Sequence, residues 1–228
     1  MTSPIEVYCI TDGGTAEPRL FLPGSPASQL GLDKPLRLCD NLPMMIENDL
    51  SSAVERYNST LANISNDKSE SGMLFESLIY DVVSTIPYLS PSVGGDDYLS
   101  ASIGGCSINN LQVDVHVRHR ETNELVACIE SKCYVDSCFC KRAISDFMSI
   151  SRTEDCTENT KFILFAGQRA IAQNTLNYNL AWLKEFTNKQ LYIFIVNDPK
   201  QRDCRTSLSR EKYGLDLKEL HRFRSFLM

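Results

Sequence analysis

The chain has 228 residues, of which 43% are hydrophobic and 23% charged, with a formal net charge of −6. That is the composition of an ordinary globular protein with material for one sizeable core. No apolar run approaches the roughly 20 residues that cross a bilayer, and the acidic balance excludes indiscriminate binding to polyanions.

The first residues, Met-Thr-Ser-Pro-Ile-Glu, lack the basic and apolar regions of a signal peptide, so a cytoplasmic location without membrane attachment is expected. Nine cysteines, an odd number in a chain of this length, argue against a disulfide framework. Cys133, Cys138 and Cys140 cluster, but with four and then one intervening residues they fit no common zinc spacing. Reduced thiols acting as small core residues are expected there.

Residues 1–43 hold six of the nine prolines, together with Gly13, Gly14, Gly24 and Gly31. Long regular elements are incompatible with that punctuation, and an irregular N-terminal arm is expected. From about Met44 to Asn63 apolar residues recur at helical steps (Ile46, Leu50, Ala53, Val54, Tyr57, Leu61). A polar break around residues 63–71 precedes a second helix that ends at about Ile86, before Pro87. Residues 87–110, rich in Pro, Ser, Gly and Asn, predict turns at Gly94-Gly95 and Gly104-Gly105 and one short strand at Tyr98–Ile103.

Leu111–Lys132 predicts a hairpin: two alternating runs joined by Glu121-Thr122-Asn123-Glu124. Side chains alternate faces along a strand. Val113, Val115 and Val117 should therefore share one face, and Gln112, Asp114 and His116 the other. On the second strand Leu125, Ala127 and Ile129 oppose Val126, Cys128, Glu130 and Lys132. Folding the hairpin brings Asp114, Glu130 and Lys132 together, with His116 able to line the same side.

Further helices are expected at about residues 136–151, 170–186 and 215–226, and buried strands at Lys161–Ala166 and Leu191–Val196. Gln168 and Arg169, after the strand at 161–166, would open the helix at 170 or, as the alternative, touch a nucleic acid. The order predicts an α/β fold: a mixed central β-sheet flanked by helices on both faces. Residues 199–228 carry eight Lys or Arg against four acids. This basic C-terminal segment is either a solvated helical end or a source of phosphate contacts.

Two carboxylates and an ammonium suit hydrolysis of a phosphodiester. Hard divalent cations take oxygen ligands, and one or two carboxylates plus phosphate oxygens commonly suffice. Asp114 followed by Glu130-Ser131-Lys132, on such a hairpin, resembles the PD-(D/E)xK nuclease superfamily, which includes most type II restriction endonucleases. Here Val113 stands where the family's proline would precede Asp114. The resemblance covers about residues 71–197, and it implies a restriction-endonuclease-like core within a single nuclease domain at 44–228.

The resemblance further implies that Asp114 and Glu130 hold Mg²⁺, with Mn²⁺ as a substitute, and that Lys132 orients or activates the attacking water. A glutamate on the preceding helix often assists such sites. Glu76 is the candidate, against a plain helix-boundary role, and Glu70 is the second choice. The implied activity is Mg²⁺-dependent, sequence-specific cleavage of double-stranded DNA by a homodimer, as in restriction-modification. The competing readings are an inactive binding module on the same fold and a surface ion-pair cluster. No phosphate-binding glycine loop and no Gly-x-Ser-x-Gly elbow are present.

Overall fold

The computed structural model describes residues 42–63, 68–95, 97–197 and 214–228. The expected N-terminal arm lies outside them, except for its last two residues. Two helices come first, α1 (Leu42–Asn63) and α2 (Lys68–Ser84), followed by strands β1 (Leu89–Val93), β2 (Leu99–Ile103), β3 (Cys106–Leu111), β4 (Val115–His119) and β5 (Leu125–Val135). Then come α3 (Ser137–Ile150), β6 (Lys161–Arg169), α4 (Gln173–Thr187), β7 (Leu191–Ile195) and α5 (Leu217–Leu227).

The central sheet has the order β1-β4-β5-β6-β7. β1, β4 and β5 pair antiparallel, whereas β5, β6 and β7 pair parallel. The parallel pairs are joined through α3 and α4, so both faces must be covered. On one face α1, α2 and α5 bury Tyr57, Phe75, Ile79 and Phe223 against Val115, Val117, Ile129 and Phe165. On the other, α3 and α4 bury Ile144, Phe147 and Leu183 against Cys128, Phe162 and Leu164. The fold is thus the mixed α/β arrangement that the element order predicts.

Local chemistry sets the helix ends. Asp136 caps α3 by accepting the Phe139 N–H at 2.7 Å, and Asp216 caps α5 by accepting that of Lys218 at 3.0 Å. α4 stops at Asn188, whose φ of 56° is the left-handed conformation that asparagine tolerates.

Several expectations are corrected. β1 is a full sheet strand although its sequence is Leu-Ser-Pro-Ser-Val; as an edge strand it tolerates Pro91. The strand expected at 98–103 has a partner, β3, across a two-residue turn at Gly104 and Gly105, whose φ values of 58° and 81° suit glycine. Gln168 and Arg169 do not open a helix: they extend β6, and α4 begins only at Gln173. The predicted alternation also fails in two places. Val113 packs with the α3–α4 side rather than beside Val115 and Val117. Leu125 does the same, because the β4–β5 register slips between Val117 and Arg118 and passes over Val126. Cys128, Cys133, Cys138 and Cys140 are free thiols. Among the described residues, no helix is long and apolar enough to cross a membrane.

Candidate active site

Pairing between β4 and β5 ends at Val115–Ile129, while β5 continues beside β6 through Val135. The residues from Glu130 onward therefore run past the start of β4, and no other described strand pairs with that flank. Asp114 crosses that flank. It lies just before β4, not within a strand as the hairpin pattern predicts, and its carbonyl accepts the Gly94 N–H at 3.0 Å.

The carboxylate of Asp114 substitutes for the missing strand. One oxygen, Oδ2, accepts the Ser131 backbone N–H at 2.7 Å, the Ser131 hydroxyl at 3.1 Å and the Lys132 ammonium at 3.4 Å. Glu130 and Lys132 are two residues apart on β5 and share its α3 side, where the Lys132 Nζ lies 4.9 Å from the centre of the Phe139 ring. Glu130 is buried, with 7% of its surface exposed. Burial and then the neighbouring Asp114 push its carboxyl up to about 8, against the pull of Lys132. The expected convergence of Asp114, Glu130 and Lys132 is therefore present in the geometry.

Two further acids border the group. Glu76 is half-buried on α2, and burial and the charge of Asp114 raise its pKa. Asp146, on α3, is raised by burial and feels both Asp114 and Lys132, with Arg142 opposing the shift. The sequence pattern does not single out Asp146. Only the packing of α3 beneath β5 reveals it, since no local pattern links residue 146 to residue 114. The side chain of Glu70, the second choice, lies outside the described residues.

His116 is a correction. It is buried and turned to another cluster, with Nδ1 3.7 Å from Asp97 and near Arg118 and Asp155. Burial lowers its pKa, and its Nε2 has no hydrogen-bond partner among the described residues. The basic C-terminal end is only partly described, because Lys200, Arg202, Arg205, Arg210 and Lys212 lie outside the described residues. Of the rest, Arg222 binds Glu219 and the Ile193 carbonyl, and buried Arg224 binds Thr85. Both arginines serve packing within the fold.

The donor set can be tested against a metal. Among the described residues, no three or more His, Cys, Asp or Glu side chains converge as a metal-binding group. A closed structural zinc site is thus not formed there. Mg²⁺ needs less: one or two carboxylates, with water and substrate phosphate completing the shell. Asp114 and Glu130 are adjacent carboxylates; burial and then the charge of Asp114 raise the Glu130 pKa, and a divalent cation would relieve the repulsive part of that shift. The residues fit a hard cation.

The sequence matches no protein-family model and no curated protein. Among solved structures it is similar to the cAAA-bound form of NucC from P. aeruginosa ATCC27853, with 13% identity and a TM-score of 0.49. That alignment covers 82% of this chain and 90% of the other.

Proposed function

We propose that the protein is a metal-dependent nuclease of the PD-(D/E)xK type that hydrolyses phosphodiester bonds in double-stranded DNA. The observation that carries this reading is the meeting of Asp114, Glu130 and Lys132 at the flank of β5 beyond its pairing with β4, with Lys132 3.4 Å from Asp114. Asp114 and Glu130 would hold Mg²⁺ or Mn²⁺, and Glu76 would assist. When bound, such a cation supplies charge neutralisation at the phosphate and a more acidic water.

The chain's own residues do the remaining work. Ser131 fixes Asp114 through two hydrogen bonds, so the carboxylate is oriented before any ligand arrives. Glu130 must give up its proton to serve as a ligand, and its raised pKa makes metal affinity depend on pH. Lys132 is partly exposed and held between Asp114 and the Phe139 ring. Its ammonium would orient the attacking water and stabilise charge that develops beside the phosphate. Two strands cut at related positions would call for two such sites, hence a homodimer; a type II restriction-like specificity and a cytoplasmic setting belong to the same reading.

The test is incubation of supercoiled and linear duplex DNA with Mg²⁺ or Mn²⁺, comparing wild type with Asp114→Ala and Lys132→Ala. Cleavage by wild type that disappears in both variants is expected. Discrete fragments would support a restriction-like specificity, and a smear would leave a nuclease without it. Absence of cleavage on duplex, single-stranded and RNA substrates would leave the inactive binding module as the better reading.

A further inference from the structure

The sixteen residues from Tyr98 to Val113 contain no charged side chain, in a chain that is 23% charged overall. They form a separate two-stranded sheet, β2 with β3, outside the central sheet. Its base is anchored: Leu99 and Val113 are buried beside α3, and Ala101 bridges to Thr153. Its outer part is not. Ser100, Ser102, Ser107, Asn109 and Asn110 are all exposed.

The ribbon has a built shape. Across it Ala101 faces Ile108 and Ser102 faces Ser107, whose hydroxyls meet at 2.7 Å. Between the pairs Leu99–Leu111 and Ala101–Ile108, β3 carries one residue more than β2, so Asn109 and Asn110 occupy a bulge. Bulges twist a ribbon and re-aim side chains, and they recur beside active sites. The ribbon is also tied to the candidate site by covalent distance. Asp114 follows the last residue of β3 by three residues, about 10 Å of extended chain.

We infer that the β2–β3 ribbon enters the major groove of duplex DNA and that Asn109 and Asn110 read base edges there. This rests on the nuclease reading and names how that site would select its substrate. The major groove is about 12 Å wide and admits a two-stranded ribbon, and asparagine pairs with adenine through two hydrogen bonds. An acidic protein must still present some surface that a polyanion does not repel. A ribbon without carboxylates, bearing serine hydroxyls and asparagine amides, meets that condition beside the acids that would carry out the chemistry. The twin glycines at the tip keep its end narrow, with no side chain to strike the groove floor.

The experiment has two readouts in the full chain. In the first, the ends produced by wild type, Asn109→Ala and Asn110→Ala on mixed-sequence DNA with Mg²⁺ are sequenced. Each substitution should relax the base preference at a defined position near the cut. In the second, affinity for a mixed-sequence duplex is measured by fluorescence anisotropy in the Lys132→Ala background, where cutting is suppressed. Adding both asparagine substitutions should weaken binding on the order of ten-fold, a loss typical of base contacts, without changing the melting temperature.

Cleavage that depends on Asp114 but keeps the same profile and affinity without the asparagines would overturn the inference and leave the nuclease reading intact. So would a wild-type profile without base preference. Asparagine-dependent duplex binding without any cutting would sink the nuclease reading and keep the ribbon as the DNA contact. A change in molecular mass by light scattering in the double variant would overturn the inference by identifying the ribbon as a contact between copies.

Discussion

Ser131 donates twice to a single oxygen of Asp114, through its backbone N–H at 2.7 Å and its hydroxyl at 3.1 Å. The backbone bond survives replacement of Ser131 by alanine, but the hydroxyl bond does not. Ser131→Ala should therefore lower stability by only about 1 kcal/mol, the usual net worth of a hydrogen bond. Loss of an orienting partner commonly weakens metal affinity or activity by about ten-fold or more. The Mg²⁺ concentration for half-maximal cleavage should rise by that order while the melting temperature moves little. Metal titration of cleavage alongside thermal unfolding checks both.

The buried Glu130 makes the metal-free protein sensitive to pH. Its folded-state pKa of about 8 lies above the ordinary 4.5, so between these values the folded state holds a proton that the unfolded chain has released. Stability must then fall as pH rises through that window. In EDTA the melting temperature should decline from pH 5 to pH 8, all other groups being equal, and Glu130→Gln should flatten that decline. Mg²⁺ should restore stability most at the alkaline end, where the carboxylate ionises readily. An equal slope in wild type and Glu130→Gln would remove Glu130 as its source.

Gly167 cannot take a side chain. A Cβ there would lie 2.6 Å from the Cys133 carbonyl oxygen, 2.9 Å from the Phe75 ring and 3.0 Å from the Asn197 amide. The first of these is strand backbone, which cannot step aside. Gly167→Ala should destabilise the protein by about 1–3 kcal/mol, the range for overpacked cores. The strain would act on β5 immediately after Lys132, so cleavage should fall with stability. Urea unfolding measures the first effect, and initial cleavage rates well below the melting temperature measure the second.

Asp97 and Arg118 form a fork, with Nε to Oδ2 at 2.8 Å and Nη2 to Oδ1 at 3.3 Å, both side chains largely covered. Burial works against the charge of Asp97, but the hydrogen bond and charge of Arg118 keep its pKa below the ordinary value. Asp97→Asn keeps one side-chain oxygen able to accept from Arg118 but removes the carboxylate charge and the second acceptor, leaving Asp155 as the charged partner beside the Asn123 carbonyl. Hydrogen bonds to charged groups are worth about 1.5–3 kcal/mol, and a loss of that size is expected at pH 7. Because the folded pKa is depressed, the contribution is lost as pH falls through it. The gap between wild type and variant should close in acid, which paired unfolding curves at pH 7 and pH 3 would reveal.

Much of this architecture is legible in the sequence. Helical spacing identifies α2 through Leu74, Phe75, Leu78 and Ile79, and the apolar runs identify β6 and β7, because buried elements repeat a simple period. The pairing of Asp114 with Glu130 and Lys132 is legible for a related reason, since a hairpin maps sequence separation onto distance. Edge and surface strands are not. Leu-Ser-Pro-Ser-Val and Cys-Ser-Ile-Asn-Asn-Leu bury too little to carry a strand pattern, so β1 and β3 escape notice. Alternation also assumes an unbroken ladder. The slip at Val126 and the non-strand residues 112–114 before β4 violate that assumption, which is why Leu125, Val113 and His116 face other neighbours than predicted. Asp146 is invisible for a different cause: its relation to Asp114 exists only once α3 has docked.

The two outer strands of the central sheet bear on how the molecule behaves in a crowded solution. An uncovered strand edge offers a row of free donors and acceptors to any passing chain, and indefinite stacking is the hazard. At β1 the ring of Pro91 removes one donor from that row. At β7 the guanidinium of Arg222 occupies the Ile193 carbonyl at 3.0 Å and spreads its charge over the Phe194 ring. At β1 the Arg120 guanidinium also occupies the Leu89 carbonyl at 2.7 Å, so both edges are blunted by side chains. Growth of the sheet from one molecule to the next is discouraged at both ends, and concentrated protein should resist fibrillation as long as Pro91 and Arg222 remain.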